Sequence, residues 1–212
     1  MNKKVTLVTG LWDIKRDTLE EGWNRSFKDH YIEKFKDLLN VPCNLIIFGE
    51  EELKEVVFEI RSEENTQFIV RNQDWFKNEF YEKIQSIRTS EQWKGRAPWL
   101  PESTQGKLEM YNPLVMSKMF LLNDARIFDK FQSEHLYWID AALSTTVSMG
   151  YFTSDNVLDK LYDKVNKFLF ICFPYEANTE IHGFAYPEIN TYIQGNINKV
   201  GRGGFFGGPV DT

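Results

Sequence analysis

The sequence predicts an α/β fold, a parallel sheet covered by helices. Three observations carry that expectation: short apolar runs such as VTLVTG, NLIIFG and QFIVR, segments of helical length between them, and two of those runs closing on glycine. Parallel neighbours need crossover connections, and strands buried on both faces read as continuous apolar runs instead of alternating ones. With 212 residues the chain can bury a substantial core, and one domain over 1–212 is the expected organisation.

VTLVTG at 5–10 is a buried strand stopped by glycine, and a long loop leads from it to RSFKDHYIEKFKDLLN at 25–40, which carries apolar residues at helical spacing. NLIIFG at 44–49 is the second strand. The following EEELKEVVFEIRS at 50–62 reads as a helix with acids in its first turn, where the helix dipole favours them. QFIVR at 67–71 is the third strand, and WFKNEFYEKIQSIRTS at 75–90 is an amphipathic helix. QWKGRAPWLPESTQGK at 92–107 holds two prolines, two glycines and two tryptophans, and a loop of this length in a compact domain marks function or mobility. Asn112 as N-cap and Pro113 at the first helical position open a helix that runs through LVMSKMFLLNDARIFDKF. The strand LYWIDAA follows. KFLFICFP at 167–174 is a further buried strand ended by Pro174, and the glycine-rich, aromatic tail after it has no clear period.

Composition bounds function. A formal net charge of -6 and the lack of a Lys/Arg cluster argue against binding a nucleic-acid backbone, although a local basic pocket is compatible with both. Aromatic residues make up 15%, more than a minimal core demands, and such a surplus lines pockets. Trp12 and Asp13 cut short the apolar run at the start, so no signal-like segment forms, and no stretch approaches the length that spans a bilayer. Cys43 and Cys172 both stand in apolar surroundings, which reads as two buried thiols in a reducing, cytoplasmic compartment.

In an open α/β sheet ligands sit beyond the carboxyl ends of the strands, so the strand ends matter most. The first offers Thr9, Gly10, Leu11, Trp12 and Asp13: Gly10 either lets backbone approach a ligand or simply turns the chain. Neither GxGxxG nor GxxxxGK[ST] occurs, which disfavours dinucleotide and P-loop sites. Lys118, four residues after Leu114 and three before Leu121, lies on or beside the buried helix face, where a lysine either reaches to solvent or meets an anion. Asp140 ends the run HLYWI and precedes two alanines. It is either a solvated strand end or a ligand for Mg²⁺ or Mn²⁺, since a metal held with a diphosphate needs only one or two protein carboxylates. GRGGFFGG at 201–208 sets five glycines around Arg202 and two phenylalanines, and is either a flexible tail or a ligand-wrapping wall in which Arg202 grips an anion. His30, His135 and His182 show no metal-ligand spacing and the cysteines lack a nearby base, so a Ser or Cys nucleophile finds no support.

VTGLWDIKRD, YNPLVMSKMFLLNDA, YWIDAAL and GGFFGG, in that order from about residue 5 to 208, resemble the HtrL/YibB-like glycosyltransferases and, more distantly, the GT-A nucleotide-sugar transferases. That resemblance implies a GT-A-like, Rossmann-type, mixed but mostly parallel sheet flanked by helices. It also implies a metal-dependent glycosyltransferase moving sugar from a UDP-sugar donor to a glycan or protein acceptor, with Mn²⁺ or Mg²⁺, in polysaccharide or glycoprotein decoration. By the same resemblance Thr9, Gly10 and Leu11 would border the uridine, and Lys118 would approach the nucleotide or diphosphate. Asp140 would match the metal-holding last aspartate of the GT-A Asp-x-Asp motif, while Trp138 stands where its first aspartate would be. Arg202 with Gly203, Gly204, Gly207 and Gly208 would wall the donor sugar and acceptor. Similar proteins continue past the glycine motif, so a shortened member or a fragment is expected. Asp211 and Glu188 are carboxylates to weigh as the base. Two rivals are a non-catalytic nucleotide-sugar-binding protein of the same fold and a nucleotidyltransferase, whose glycine-rich basic loop after the first strand is not evident.

Overall fold

Strands that are apolar along their whole length must be covered on both faces, and three strands of this chain meet that condition. The computed structural model describes residues 4–96, 98–154, 156–174, 180–181, 184–185 and 199–211. Its strands are β1 (Val5–Leu11), β2 (Asn44–Gly49), β3 (Thr66–Val70), β4 (His135–Ile139), β5 (Leu169–Pro174), β6 (Glu180–Ile181), β7 (Phe184–Ala185) and β8 (Lys199–Pro209). Six of them form one sheet in the order β3-β2-β1-β4-β8-β5, while β6 and β7 pair with each other. β2 and β4 are buried throughout and β1 in all but Gly10. The pairs β1–β2, β1–β4 and β2–β3 are parallel, whereas β8 runs antiparallel to both β4 and β5. The sheet is therefore mixed and mostly parallel, as expected.

The helices are α1 (Glu33–Leu39), α2 (Leu53–Phe58), α3 (Tyr81–Thr89), α4 (Glu91–Lys94), α5 (Thr104–Lys107), α6 (Tyr111–Met116), α7 (Lys118–Phe128), α8 (Tyr151–Ser154) and α9 (Val157–Lys164). Side chains on a strand alternate between faces. Val5, Leu7, Leu45, Ile47, Tyr137 and Ile139 accordingly pack with Phe35, Leu38 and Leu39 of α1, Val57 of α2 and Leu158 of α9. On the other face Val8, Ile46, Phe48, Leu136 and Trp138 pack with Leu121, Leu122 and Ala125 of α7. The chain steps outward from β1 to β2 and β3, then crosses back to lay β4 on the other side of β1. A topological switch point thus lies between β1 and β4, at the place where open sheets hold ligands.

Local differences from the expectation have physical reasons. The helix after the first loop opens as a π-turn over Phe27–Ile32, with Ser26 Oγ accepting from Asp29 N at 3.0 Å, before α1 begins. Asn112 is not an N-cap: it is the second residue of α6, and its Nδ2 donates to Gln105 O at 3.2 Å. The single helix expected from there divides at the buried Ser117, whose Oγ donates to Pro113 O. The 92–107 loop contains the short helices α4 and α5. β5 is an edge strand and not a buried one, with Phe170 and Ile171 exposed. The larger correction concerns the tail, because 199–209 is not loose: with no regular alternation in its sequence it still forms the strand β8, inserted between β4 and β5.

Two glycines earn their place sterically. A Cβ on Gly10 would strike the Trp12 indole, which folds back over β1 and donates from Nε1 to Arg71 O at 2.7 Å. Gly207 has φ +148, and a Cβ there would run into Leu136 O of β4. The Gly207→Ala substitution should therefore cost about 3 kcal/mol or more in a chemical-denaturation experiment, through backbone strain and separation of β8 from β4. An unchanged midpoint would contradict this packing. The two thiols also part company: Cys43 is buried and its thiol is pushed up to about 12 by that burial, whereas Cys172 on β5 is exposed. A thiol-labelling time course should show one fast modification in the native protein and a second only on unfolding; two slow or two fast phases would contradict the assignment.

Candidate functional site

The carboxyl ends of β1 and β4, on either side of the switch point, open into a cleft of about 1040 Å³. Gly10, Leu11, Trp12 and Asp13 form its β1 side, and Trp138, Asp140 and Ala141 its β4 side. Tyr111 and Lys118 enter from α6 and α7, while Arg202, Gly203 and Gly204 close it from β8. The loop after β1 adds Arg16 and Arg25, and Tyr31 follows from the π-turn.

Lys118 and Asp140 meet at the centre. Residues two apart on an extended chain share a face, so Asp140 points to the same side of the sheet as Trp138, the side covered by α7. Lys118 opens α7 one turn before Leu121 and Leu122, at the head of its buried stripe. Its Nζ therefore reaches over the end of β4 and donates to Asp140 Oδ1 at 2.6 Å and Oδ2 at 2.9 Å, and to Gly203 O at 3.2 Å. Trp138 Nε1 donates to the same Oδ1 at 2.7 Å. Of the two readings the sequence left for Lys118, meeting an anion is the one observed, and the anion is Asp140. Trp138, standing where the motif's first aspartate would be, is a hydrogen-bond donor to the last, Asp140.

The glycines of β8 supply backbone to this pair. Opposite β5 the register jumps, with Phe170 facing Phe206 and Ile171 facing Arg202, so residues 203–205 bulge out of that ladder. A bulge re-aims the groups it carries. Here Gly203 O accepts from Lys118 and Gly204 O accepts from Asp140 N at 2.9 Å.

Other expected residues fall differently. Thr9 is fully buried, its Oγ1 has no hydrogen-bond partner among the described residues, and it does not line the cleft, whereas Gly10 and Leu11 do. Gly207 and Gly208 lie farther along β8, packed on Leu136 O and Lys167 O, so they belong to the sheet and not to the cleft wall. Val210 N bonds Glu134 O beside the start of β4, which puts Asp211 at the opposite end of that strand from Asp140, about 16 Å away for five extended residues. It is not a base for this cleft. Glu188 and His182 lie outside the described residues.

Sequence reasoning missed Arg16, Arg25, Tyr31 and Tyr111. Arg16 donates from Nε to Trp23 O at 2.9 Å and from Nη1 to Tyr31 Oη at 2.6 Å; Arg25 donates from Nη1 to Asn24 O at 2.5 Å. Burial raises the Tyr111 phenol above its ordinary value, with Arg16 opposing. Burial, then Arg25 and Arg16, lower the His30 imidazole. Among the described residues four cations thus line the cleft (Arg16, Arg25, Lys118, Arg202) against two carboxylates, Asp13 and Asp140, in a chain whose net charge is -6. Asp13 carries its own counter-ion, Lys15, at 2.6 Å.

A divalent cation at Asp140 would need its oxygens. Both face the Lys118 ammonium, one also accepts from Trp138, and among the described residues no group of three His, Cys, Asp or Glu side chains converges. A dication placed there would meet the ammonium at the same carboxylate, so this donor set does not fit Mn²⁺ or Mg²⁺.

The Lys118 side chain is 13% exposed and that of Asp140 37%, between a surface pair and a buried one. A double-mutant cycle with Lys118→Met and Asp140→Asn should therefore give a coupling of about 1–2 kcal/mol in denaturant melts. A coupling indistinguishable from zero would mean that the pair does not hold the site together.

Among the described residues no helix is long and apolar enough to cross a membrane. No curated protein matches the chain. One similar solved structure is 4-diphosphocytidyl-2C-methyl-D-erythritol synthase from Anaerococcus prevotii DSM 20548, 9% identical, covering 92% of this chain and 77% of that one at a TM-score of 0.35; a likeness that low bears on neither fold nor function. Residues 3–164 match the model of a bacterial protein family of unknown function, HtrL_YibB. That stretch takes in β1 to β4, the loop bearing Arg16 and Arg25, and both partners of the Lys118–Asp140 pair, and the chain belongs to the HtrL_YibB family.

Proposed function

We propose that the chain is a glycosyltransferase that binds the nucleotide part of a UDP-sugar in the cleft between β1 and β4 and moves the sugar to a hydroxyl of a glycan or protein. The observation that carries this reading is the cleft itself: a cavity at the switch point of a mostly parallel sheet, lined by four cations and two carboxylates in an acidic protein. Its size suits a nucleotide sugar, and its Gly10–Leu11 wall and Tyr111 offer backbone and an aromatic surface for a base and ribose. The acceptor oxygen attacks the anomeric carbon, the bond from that carbon to the distal phosphate oxygen breaks, and its electron pair leaves with UDP. The chief electrostatic task is the charge gathering on the leaving phosphate, for which fixed cations are suited. The acceptor proton needs a base, and Asp13 is the lining carboxylate that does not face Lys118.

One observation favours a second reading, nucleotidyl transfer with release of pyrophosphate. The loop after β1, which the sequence did not mark as basic, brings Arg16 and Arg25 to the cleft. The products separate the two. Incubation with a panel of UDP-sugars and of nucleoside triphosphates should yield UDP and no pyrophosphate, and UDP at about 100 times its Kd should raise Tm by about 5–10 °C, from about 2.7 kcal/mol of linkage in a chain of this size. Pyrophosphate release would establish the second reading. UDP binding with no turnover across donors and acceptors would leave a nucleotide-sugar-binding protein, and no response to any nucleotide would end the proposal.

A further inference from the structure

We infer that the cleft neutralises a bound diphosphate with the protein's own cations and without a divalent metal, the Lys118 ammonium standing at Asp140 where a metal would otherwise sit. The inference rests on the nucleotide reading above for the identity of the ligand, but its physical content is the charge arrangement.

Lys118 takes both oxygens of Asp140 and so cancels the carboxylate that would repel an incoming phosphate. Lys15 does the same for Asp13. What is left facing the cavity includes the positive charge of Arg16 and Arg25. Their partners among the described residues are neutral: Trp23 O and the Tyr31 hydroxyl for Arg16, the Asn24 and Gly22 carbonyls for Arg25. Neutral acceptors orient a guanidinium without discharging it, and a guanidinium presents paired N–H groups matched to phosphate. A nucleotide-sugar diphosphate carries one negative charge on each phosphate. Among the described residues, Lys15 and the four lining cations stand against two carboxylates, a net of three positive charges. The cleft therefore offsets that ligand's two charges with no further ion, whereas an added dication would only enlarge the positive excess and compete with Lys118 for Asp140. Gly203 O, the longest of the three Lys118 contacts at 3.2 Å, is the acceptor a phosphate oxygen could replace.

The test is titration calorimetry on the full chain with UDP, in excess EDTA and in excess Mn²⁺, and with inorganic pyrophosphate in EDTA. UDP should bind equally in both conditions, within about twofold, and pyrophosphate should bind in EDTA. Arg16→Ala should weaken UDP in EDTA by about tenfold or more, the loss of one charge-assisted contact. Lys118→Met, checked for an intact fold by circular dichroism, should weaken it by at least as much, and Mn²⁺ should recover part of that loss by taking the vacated place at Asp140. UDP binding by the wild type that appears only with Mn²⁺ overturns the inference and leaves the nucleotide reading standing. Pyrophosphate binding without UDP binding does the reverse. If neither ligand binds in any condition, or if Arg16→Ala and Lys118→Met both bind UDP in EDTA as the wild type does, the charge arrangement has no such role.

Discussion

The site hangs on a backbone hydrogen bond, from Asp140 N to Gly204 O, that ties the end of β4 to the bulge of β8. Without it Asp140 would be the first residue of a loop, free to turn its carboxylate to water. With it, the carboxylate is held on the face that α7 covers, and Lys118 is the α7 residue whose side chain can reach it. The same bulge turns Gly203 O toward Lys118, so one irregularity in an edge-side ladder satisfies a donor from each partner. A Cβ on Gly204 would press on Leu143 and come into contact with Asp140, whereas one on Gly203 would meet open space. The bulge is thus part of the electrostatics, because it turns two backbone carbonyls toward the pair.

Burial explains why the pair sits where it does. β4 is buried on both faces, and the Trp138 ring is 1% exposed with its indole nitrogen pointing along the strand toward Asp140. A buried N–H without an acceptor costs about 1–3 kcal/mol. The Asp140 carboxylate removes that cost, and Lys118 in turn compensates the carboxylate. Each member would be unfavourable alone, while the set, opening onto a cleft, is satisfied. A substitution at one is therefore felt at the others.

Much of this was legible in the sequence because it is periodic. The apolar runs marked β1, β2 and β3 within a residue, and β4 at its start, though LYWIDAA runs three residues past its end at Ile139. The offset of Lys118 from Leu121 placed it on or beside the buried stripe of its helix. What was not legible depends on contacts remote in the chain. GRGGFFGG has no strand-like alternation, and only pairing with β4 on one side and β5 on the other makes it a strand. Asn112 and Pro113 resemble a helix start, yet the first turn is already made by Met110 and Tyr111, and the Asn112 amide is drawn to Gln105 instead. Arg16 and Arg25 sit in a loop of no period; the folding of Trp23 O and Tyr31 around Arg16 is what aims it. Local spacing carries information about faces of elements, and little about which loop residues converge.

That limit bears on the metal as well. The resemblance to GT-A enzymes assigns Asp140 by its place after YWI, and place alone says nothing of who else reaches the carboxylate. Two residues decide its chemistry: Lys118, twenty-two positions earlier on α7, and Trp138, two earlier on the same strand face. An aspartate with a water-filled neighbourhood would present two oxygens to a dication. This one presents them to an ammonium and an indole, so its charge is offset inside the protein. The residue singled out as a metal holder is, in this structure, the acceptor that fixes Lys118, and its negative charge is offset by that ammonium.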